Sequence, residues 1–150
     1  MSTLLIVHHS PTPLLKAIND AVIRGASDDA ITGVDVRVVP ALEATVEDVL
    51  AADSYVLGTA TNFGYISGAL KHFFDVTYNA VREETEKRPF SYWIHGGYDT
   101  TGAERAMESI TTGLGWKLAF DPLIFLGEFL PEHGEKAEEL GGTLAALISS

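Results

Sequence analysis

The chain contains no cysteine, and this absence removes disulfides, thiolate nucleophiles, iron–sulfur clusters and zinc ribbons together. Basic residues are scarce: Lys+Arg 10 against Asp+Glu 21 gives a formal net charge of −11. That balance argues against attraction to a phosphate backbone, so no nucleic acid is expected as a partner. It argues equally against docking on anionic lipid. Long hydrophobic runs are missing as well. No segment approaches the ~20 apolar residues that a membrane helix needs, and Leu4-Leu5-Ile6-Val7 is too short for a signal h-region and lacks a basic n-region. A cytoplasmic location is therefore expected. What is present is a composition that folds: 46% of the 150 residues are hydrophobic, well above the level at which acidic chains stay disordered. At this length one domain spanning residues 1–150 is expected.

Short apolar runs bounded by turn residues predict five strands, at Thr3–His8, Val34–Val39, Ser54–Thr59, Phe90–His95 and Leu118–Leu126. Helical spacing fills the intervals. After Pro13, Leu14, Ile18 and Val22 share one face; a short helix from Thr45 to Leu50 has Thr45 as its N-cap. From Ser67 to Val81, Leu70, Phe73, Phe74, Thr77, Tyr78 and Val81 recur at three and four. Thr101-Gly102-Ala103-Glu104 reads as a capping box. The last helix, from Glu132 to Ile148, is weakened by Gly141-Gly142. Strands alternating with helices call for a parallel sheet covered on both faces. The second strand alternates in polarity and the fifth contains Asp121-Pro122, so both belong at edges. The expected order is 2-1-3-4-5, with ligands at the carboxyl ends of the strands where that order switches direction.

Three loops lie at those carboxyl ends. In His8-His9-Ser10-Pro11-Thr12-Pro13-Leu14-Leu15, Thr12 is a suitable N-cap and Pro13 a suitable first helical residue. The hydroxyls of Ser10 and Thr12 and the N–H groups of Leu14 and Leu15 can together hold a phosphate without a basic residue; an ordinary capped connection accounts for the same residues. In Gly58–Gly68, glycines and small hydroxylic residues allow close approach of a ligand to the backbone. Phe63 there either packs under the loop or faces a ligand, and Gly64 gives the intervening peptide more than one orientation. The third loop, His95-Gly96-Gly97-Tyr98-Asp99-Thr100-Thr101-Gly102, repeats this mixture of glycines, hydroxyls and one aromatic residue.

The string Gly58-Thr59-Ala60-Thr61-Asn62-Phe63-Gly64-Tyr65-Ile66-Ser67-Gly68-Ala69-Leu70-Lys71-His72-Phe73-Phe74-Asp75 resembles the second flavin loop and following helix of flavodoxin-like proteins. It is most similar to the branch holding NAD(P)H-dependent FMN reductases and tryptophan-repressor-binding-protein-like quinone reductases. The resemblance implies an α/β, flavodoxin-like three-layer sandwich and FMN held noncovalently at the switch point. Carried over residue by residue, Ser10, Thr12, Leu14 and Leu15 would hold the phosphate. Thr59, Ala60, Thr61, Asn62, Phe63 and Gly64 would line the ring and its N5 edge, and His95, Gly96, Gly97, Tyr98 and Asp99 would meet its pyrimidine side and other face. The first loop departs from the family's Thr-Gly-x-Thr ending: Pro13 and Leu15 stand in place of the glycine and the last hydroxylic residue, which removes one N–H donor and one hydroxyl.

Other chemistries lack their residues. His8, His9 and His95 form no metal-binding motif, no HExxH occurs, and no G-x-S-x-G elbow is present. A phosphoacceptor receiver would need an acidic pair where His8-His9-Ser10 stands. Three functions stay open. One is an FMN-dependent oxidoreductase reduced by NAD(P)H that serves a small-molecule electron acceptor. A flavodoxin-type carrier serving a redox protein is the second, and a non-catalytic flavin- or phosphate-binding module the third. A carrier should gather carboxylates at its flavin rim, yet of the 21 acids only Asp99 lies within the three loops, with Glu104 just beyond. This favours the reductase. The family suggests a homodimer.

Overall fold

The computed structural model describes residues 1–150. Strands β1 (Ser2–His8), β2 (Val34–Pro40), β3 (Ser54–Asn62) and β5 (Pro89–Gly96) form the body of the sheet, in the order β2-β1-β3-β5 and all parallel. The fifth position is shared by two pieces, β6 (Lys117–Leu118) and β7 (Leu123–Leu126), both parallel to β5. The expected order of five is thus present, but the expected continuous strand Leu118–Leu126 is broken. Asp121-Pro122 lies in the gap, where proline has no N–H to give a ladder. The remaining strand, β4 (Tyr65–Ile66), turns back antiparallel on the end of β3.

Alternation along the strands sorts the core into two halves. Leu4, Ile6, Val56 and Trp93 face one side, beneath α1 (Pro13–Ala26) and α5 (Pro131–Ala146). Leu5, Val7, Tyr55, Leu57, Phe90, Tyr92 and Ile94 face the other, beneath α2 (Val46–Ala51), α3 (Gly68–Val81) and α4 (Thr101–Leu114). The result is the three-layer α/β/α sandwich that continuous apolar strands require. β2 stays half-exposed along its length, as an edge should.

Helix ends follow local chemistry. Thr12 caps α1 by accepting from Leu15 N–H, with Pro13 as first helical residue, and Thr45 with Asp48 forms a capping box on α2. The capping box expected at Thr101–Glu104 is displaced. Thr100 is the N-cap of α4 and bonds Glu104 Oε2 at 2.8 Å, while Thr101 gives both its N–H and its hydroxyl to Asp99 Oδ1. A carboxylate that accepts two donors holds Thr101 inside the first turn. The reading of Gly141-Gly142 as a weak point is also corrected. An added Cβ at Gly141 would lie 2.0 Å from the Val22 carbonyl oxygen, and one at Gly25 would lie 1.8 Å from that of Glu138. These glycines let α1 and α5 approach backbone to backbone.

Candidate cofactor cleft

The carboxyl ends of β1, β3 and β5 lie side by side, with His8 opposite Gly58 and Ala60 opposite His95. Beyond them β3 runs three residues further than the predicted Thr59, so most of the expected second loop is a hairpin. Thr61 pairs with Ile66 and Asn62 with Tyr65, leaving Phe63-Gly64 as a two-residue turn. Both turn residues have positive φ, +51° and +73°, the conformation that a type I′ hairpin turn demands. The Phe63 ring does not pack beneath the loop; it is fully exposed at the tip.

An open cleft of about 380 Å³ lies between this hairpin and the segment after β5, lined by Thr61, Phe63, Gly64, Gly97, Tyr98 and Asp99. Tyr98 is also largely exposed. Two unpacked aromatic rings thus flank a cleft floored by glycine backbone and a hydroxyl. The hydroxyl is Thr61 Oγ1, buried and without a hydrogen-bond partner. Leaving such an atom unpaired is costly unless something fills the space beside it. Asp99 supplies the one carboxylate, and its hydrogen bonds from the hydroxyl and N–H of Thr101 hold it below the ordinary carboxylate range.

Six of the fifteen site residues expected from the sequence therefore line the cleft. Others are committed to the framework. Thr59 Oγ1 accepts from Ser67 N–H at 2.9 Å and donates to the Ala60 carbonyl, which ties the hairpin to the N-cap of α3. Ala60 packs toward the α1/α5 half of the core, Asn62 is exposed on the hairpin and Gly96 is buried. His95 bonds the Gly127 carbonyl through Nε2 at 2.7 Å and meets Phe125 edge-on, within an aromatic group completed by His133 stacked on Phe125. It is not among the cleft-lining residues.

The first loop stands apart, at the N-terminus of α1. The side chain of Leu15 is in the core and its N–H is already taken by Thr12 Oγ1 at 3.3 Å; Pro13 has no N–H, and the N–H of Leu14 is free. Ser10 Oγ lies 2.9 Å from Nδ1 of His8. Two features went unread in the sequence. One is this His8–Ser10 pair, which an imidazole two residues before a hydroxyl at a strand end could have signalled. The other is Gly102, where an added Cβ would lie 1.8 Å from the Gly64 carbonyl oxygen. The hairpin tip rests on the first turn of α4 at this glycine, and no spacing in the sequence announces it.

A parallel sheet in the order 2-1-3-4-5, with a cleft at the carboxyl ends of its central strands, defines a flavodoxin-like fold. Comparison with solved structures gives the same fold. A flavodoxin, WrbA-like protein from Agrobacterium tumefaciens superposes with a TM-score of 0.78 at 17% identity, covering 98% of this chain and 97% of that one. Two-electron reduced Megasphaera elsdenii flavodoxin gives 0.75 at 20% identity, covering 95% and 98%. Among curated proteins, a flavodoxin from Aquifex aeolicus is 32% identical over 114 residues, 76% of this chain. The chain spans 60% of the length of that relative. The family described as NADPH-dependent FMN reductase matches residues 29–123, well over half of the chain, and the chain belongs to it. The match begins after α1, so the first loop lies outside it.

Proposed function

We propose that the chain is an FMN-binding oxidoreductase in which NAD(P)H is the reductant and a small molecule the electron acceptor. The observation that carries this reading is the cleft: a buried hydroxyl without a partner, glycine backbone open to close approach, and two unpacked aromatic rings on either side. A planar, apolar ring with polar edges fits that set. Phe63 and Tyr98 would lie against its faces, while Thr61 Oγ1 and the backbone at Gly64 and Gly97 would meet its polar edge. The phosphate end would fall to Ser10, Thr12 and the free N–H of Leu14, where helix α1 presents its positive end. Bound there, FMN would supply hydride and electron transfer; the protein's part is to orient the ring, set its surroundings and exclude water. Expected contributions from Leu15 and His95 shrink in this reading, because the Leu15 N–H and His95 Nε2 already have partners.

Two routes to turnover differ in partner. A reductase takes hydride from a nicotinamide stacked on the ring; a carrier of flavodoxin type exchanges single electrons with a docked redox protein. The Aquifex relative bears the name flavodoxin, but no gathering of carboxylates surrounds this cleft, where Asp99 stands alone among the lining residues. Steered docking on a basic partner would need more charge at the rim. We therefore place the chain with the reductases, acting as one domain in the cytoplasm. Purified protein is expected to be yellow, or to become so on adding FMN, and to bleach on anaerobic stopped-flow mixing with NADPH. Protein that takes up no FMN overturns the cofactor. Bleaching only through a separate reductase protein overturns the reductase and leaves the carrier.

A further inference from the structure

The first loop has to hold a doubly charged phosphate with very little. From His9 to Leu15 it contains no Lys or Arg. Pro11 and Pro13 remove two N–H groups, and Thr12 consumes a third by capping Leu15. Helix-end N–H groups and hydroxyls remain, together with one titratable side chain in direct contact with a hydroxyl of the loop: the imidazole of His8, Nδ1 to Ser10 Oγ, 2.9 Å.

A phosphate oxygen only accepts hydrogen bonds, so Ser10 can serve it only by donating its hydroxyl proton. The lone pairs of Ser10 Oγ are then all it can offer to His8, and Nδ1 must be the donor. Ligand binding at Ser10 therefore selects forms of His8 that carry a proton on Nδ1. The imidazolium is one such form, and it alone brings a positive charge.

We propose that His8 is a positioning residue for the phosphate of the bound nucleotide: it takes up a proton from solvent as the phosphate binds, fixes the direction of the Ser10 hydroxyl, and supplies the cation that the loop lacks. The inference rests on the FMN reading above and deepens it. Before binding, burial is the main influence that lowers the pKa of His8; repulsion from His9 adds to it, and Asp20 on α1 opposes it. Pro40 and Gly58, which flank His8 in the neighbouring strands, carry no charge. The free site thus keeps a neutral imidazole. A dianion two bonds away, relayed through Ser10, favours the charged form, and by linkage protonation favours the dianion equally.

The test uses apoprotein, FMN and riboflavin, which has the ring but no phosphate, with Kd measured by quenching of flavin fluorescence between pH 6.5 and 8. In this range a phosphate monoester, with its second pKa near ~6, stays mainly dianionic. FMN is expected to bind roughly three- to tenfold more tightly at pH 6.5 than at pH 8, up to the one-proton limit of ~10-fold per pH unit, and riboflavin to show no such slope. His8→Asn keeps a donor near the Nδ1 position but cannot titrate; it should bind FMN with a flat pH profile. His8→Leu should weaken FMN at every pH and leave riboflavin unchanged, which also shows that the variant is folded. Imidazole NMR should show the His8 pKa rising on addition of FMN and not of riboflavin. A wild-type pH slope retained in both variants, or a His8 titration that FMN does not move, overturns the role of His8 while the cofactor stands. FMN binding no tighter than riboflavin overturns the phosphate site. Apoprotein that binds neither flavin overturns the cofactor reading and this inference with it.

Discussion

Phe63 occupies a place that the folded chain alone has little reason to give it. Its backbone is left-handed at φ +51° and its ring is fully exposed. A side-chain-bearing residue in that region costs about 1–2 kcal/mol, and no burial of the ring offsets it. Strain of this kind at the wall of a cleft fits a residue kept for what it contacts when the cleft is filled. Phe63→Asn would create Asn-Gly, the pair that a type I′ turn prefers. The variant should raise apoprotein stability by about 0.5–1 kcal/mol in urea unfolding and weaken FMN binding; tighter binding would show that the ring is no part of the site. The sequence marks Phe63 as an aromatic residue before a glycine and leaves its two fates open, because backbone handedness at a non-glycine residue has no signature in composition. His8 adds a prediction in pH. Its folded pKa lies below the ordinary 6.5, chiefly through burial. As pH falls through 6.5 the unfolded chain binds the proton before the native one does, so stability declines on the acid side and is recovered as pH rises. Apoprotein unfolded in urea at pH 7.5 and 5.5 should show a larger acid loss than His8→Asn, and equal losses would remove the effect.

Elements were legible where they carried a long pattern. The parallel strands, the apolar faces of α1 and α3 and the caps at Thr12 and Thr45 follow from spacing and cap chemistry, and the structure has them. Two-residue strands have no period to read, so β4 and the division of the fifth strand into β6 and β7 could not be foreseen beyond the edge position that Asp121-Pro122 implies. Glycines inside helices were misread for a related reason: helix propensity is local, whereas α1 and α5 meet across the fold. An added methyl at Gly141 would press on the Val22 backbone, whereas one at Gly134 finds only Phe129 at 3.7 Å. The same substitution in the same helix should therefore have opposite signs. Gly141→Ala is expected to destabilise by about 2–3 kcal/mol, the upper range for overpacking because backbone must move, and Gly134→Ala to stabilise by about 0.5–1 kcal/mol. Thermal melts of both apoproteins decide it; similar shifts would mean that the crossing is looser than its geometry. Gly102 carries the same logic into the site. Gly102→Ala would push on the Gly64 carbonyl and so on the hairpin tip, and flavin affinity should fall although no cleft-lining residue has changed.

At the scale of the whole molecule, the charge of −11 distinguishes reductase from carrier by the sign of a salt effect. No Lys or Arg lies in any of the three loops, and Asp99 adds a carboxylate to the cleft itself. Lys71, the basic residue of the following helix α3, is held by Asp75 in an ion pair one turn apart. An NADPH donor, itself an anion, would therefore approach a negatively charged molecule whose three loops carry no cation, the nearest in sequence besides Lys71 being Lys16 and Arg105 just beyond them. Raising ionic strength from about 0.02 to 0.5 M shortens the screening length from roughly 20 Å to about 4 Å, so this repulsion should fade and the second-order rate of flavin reduction by NADPH should rise, by about two- to fivefold. A carrier that met a basic protein would behave oppositely, since screening removes the attraction that steers the encounter. The same stopped-flow series on the holoprotein separates the two. A rate that rises with salt identifies a small anionic donor working against the field, and a rate with NADPH that falls would require a cationic subsite that none of the three loops contains.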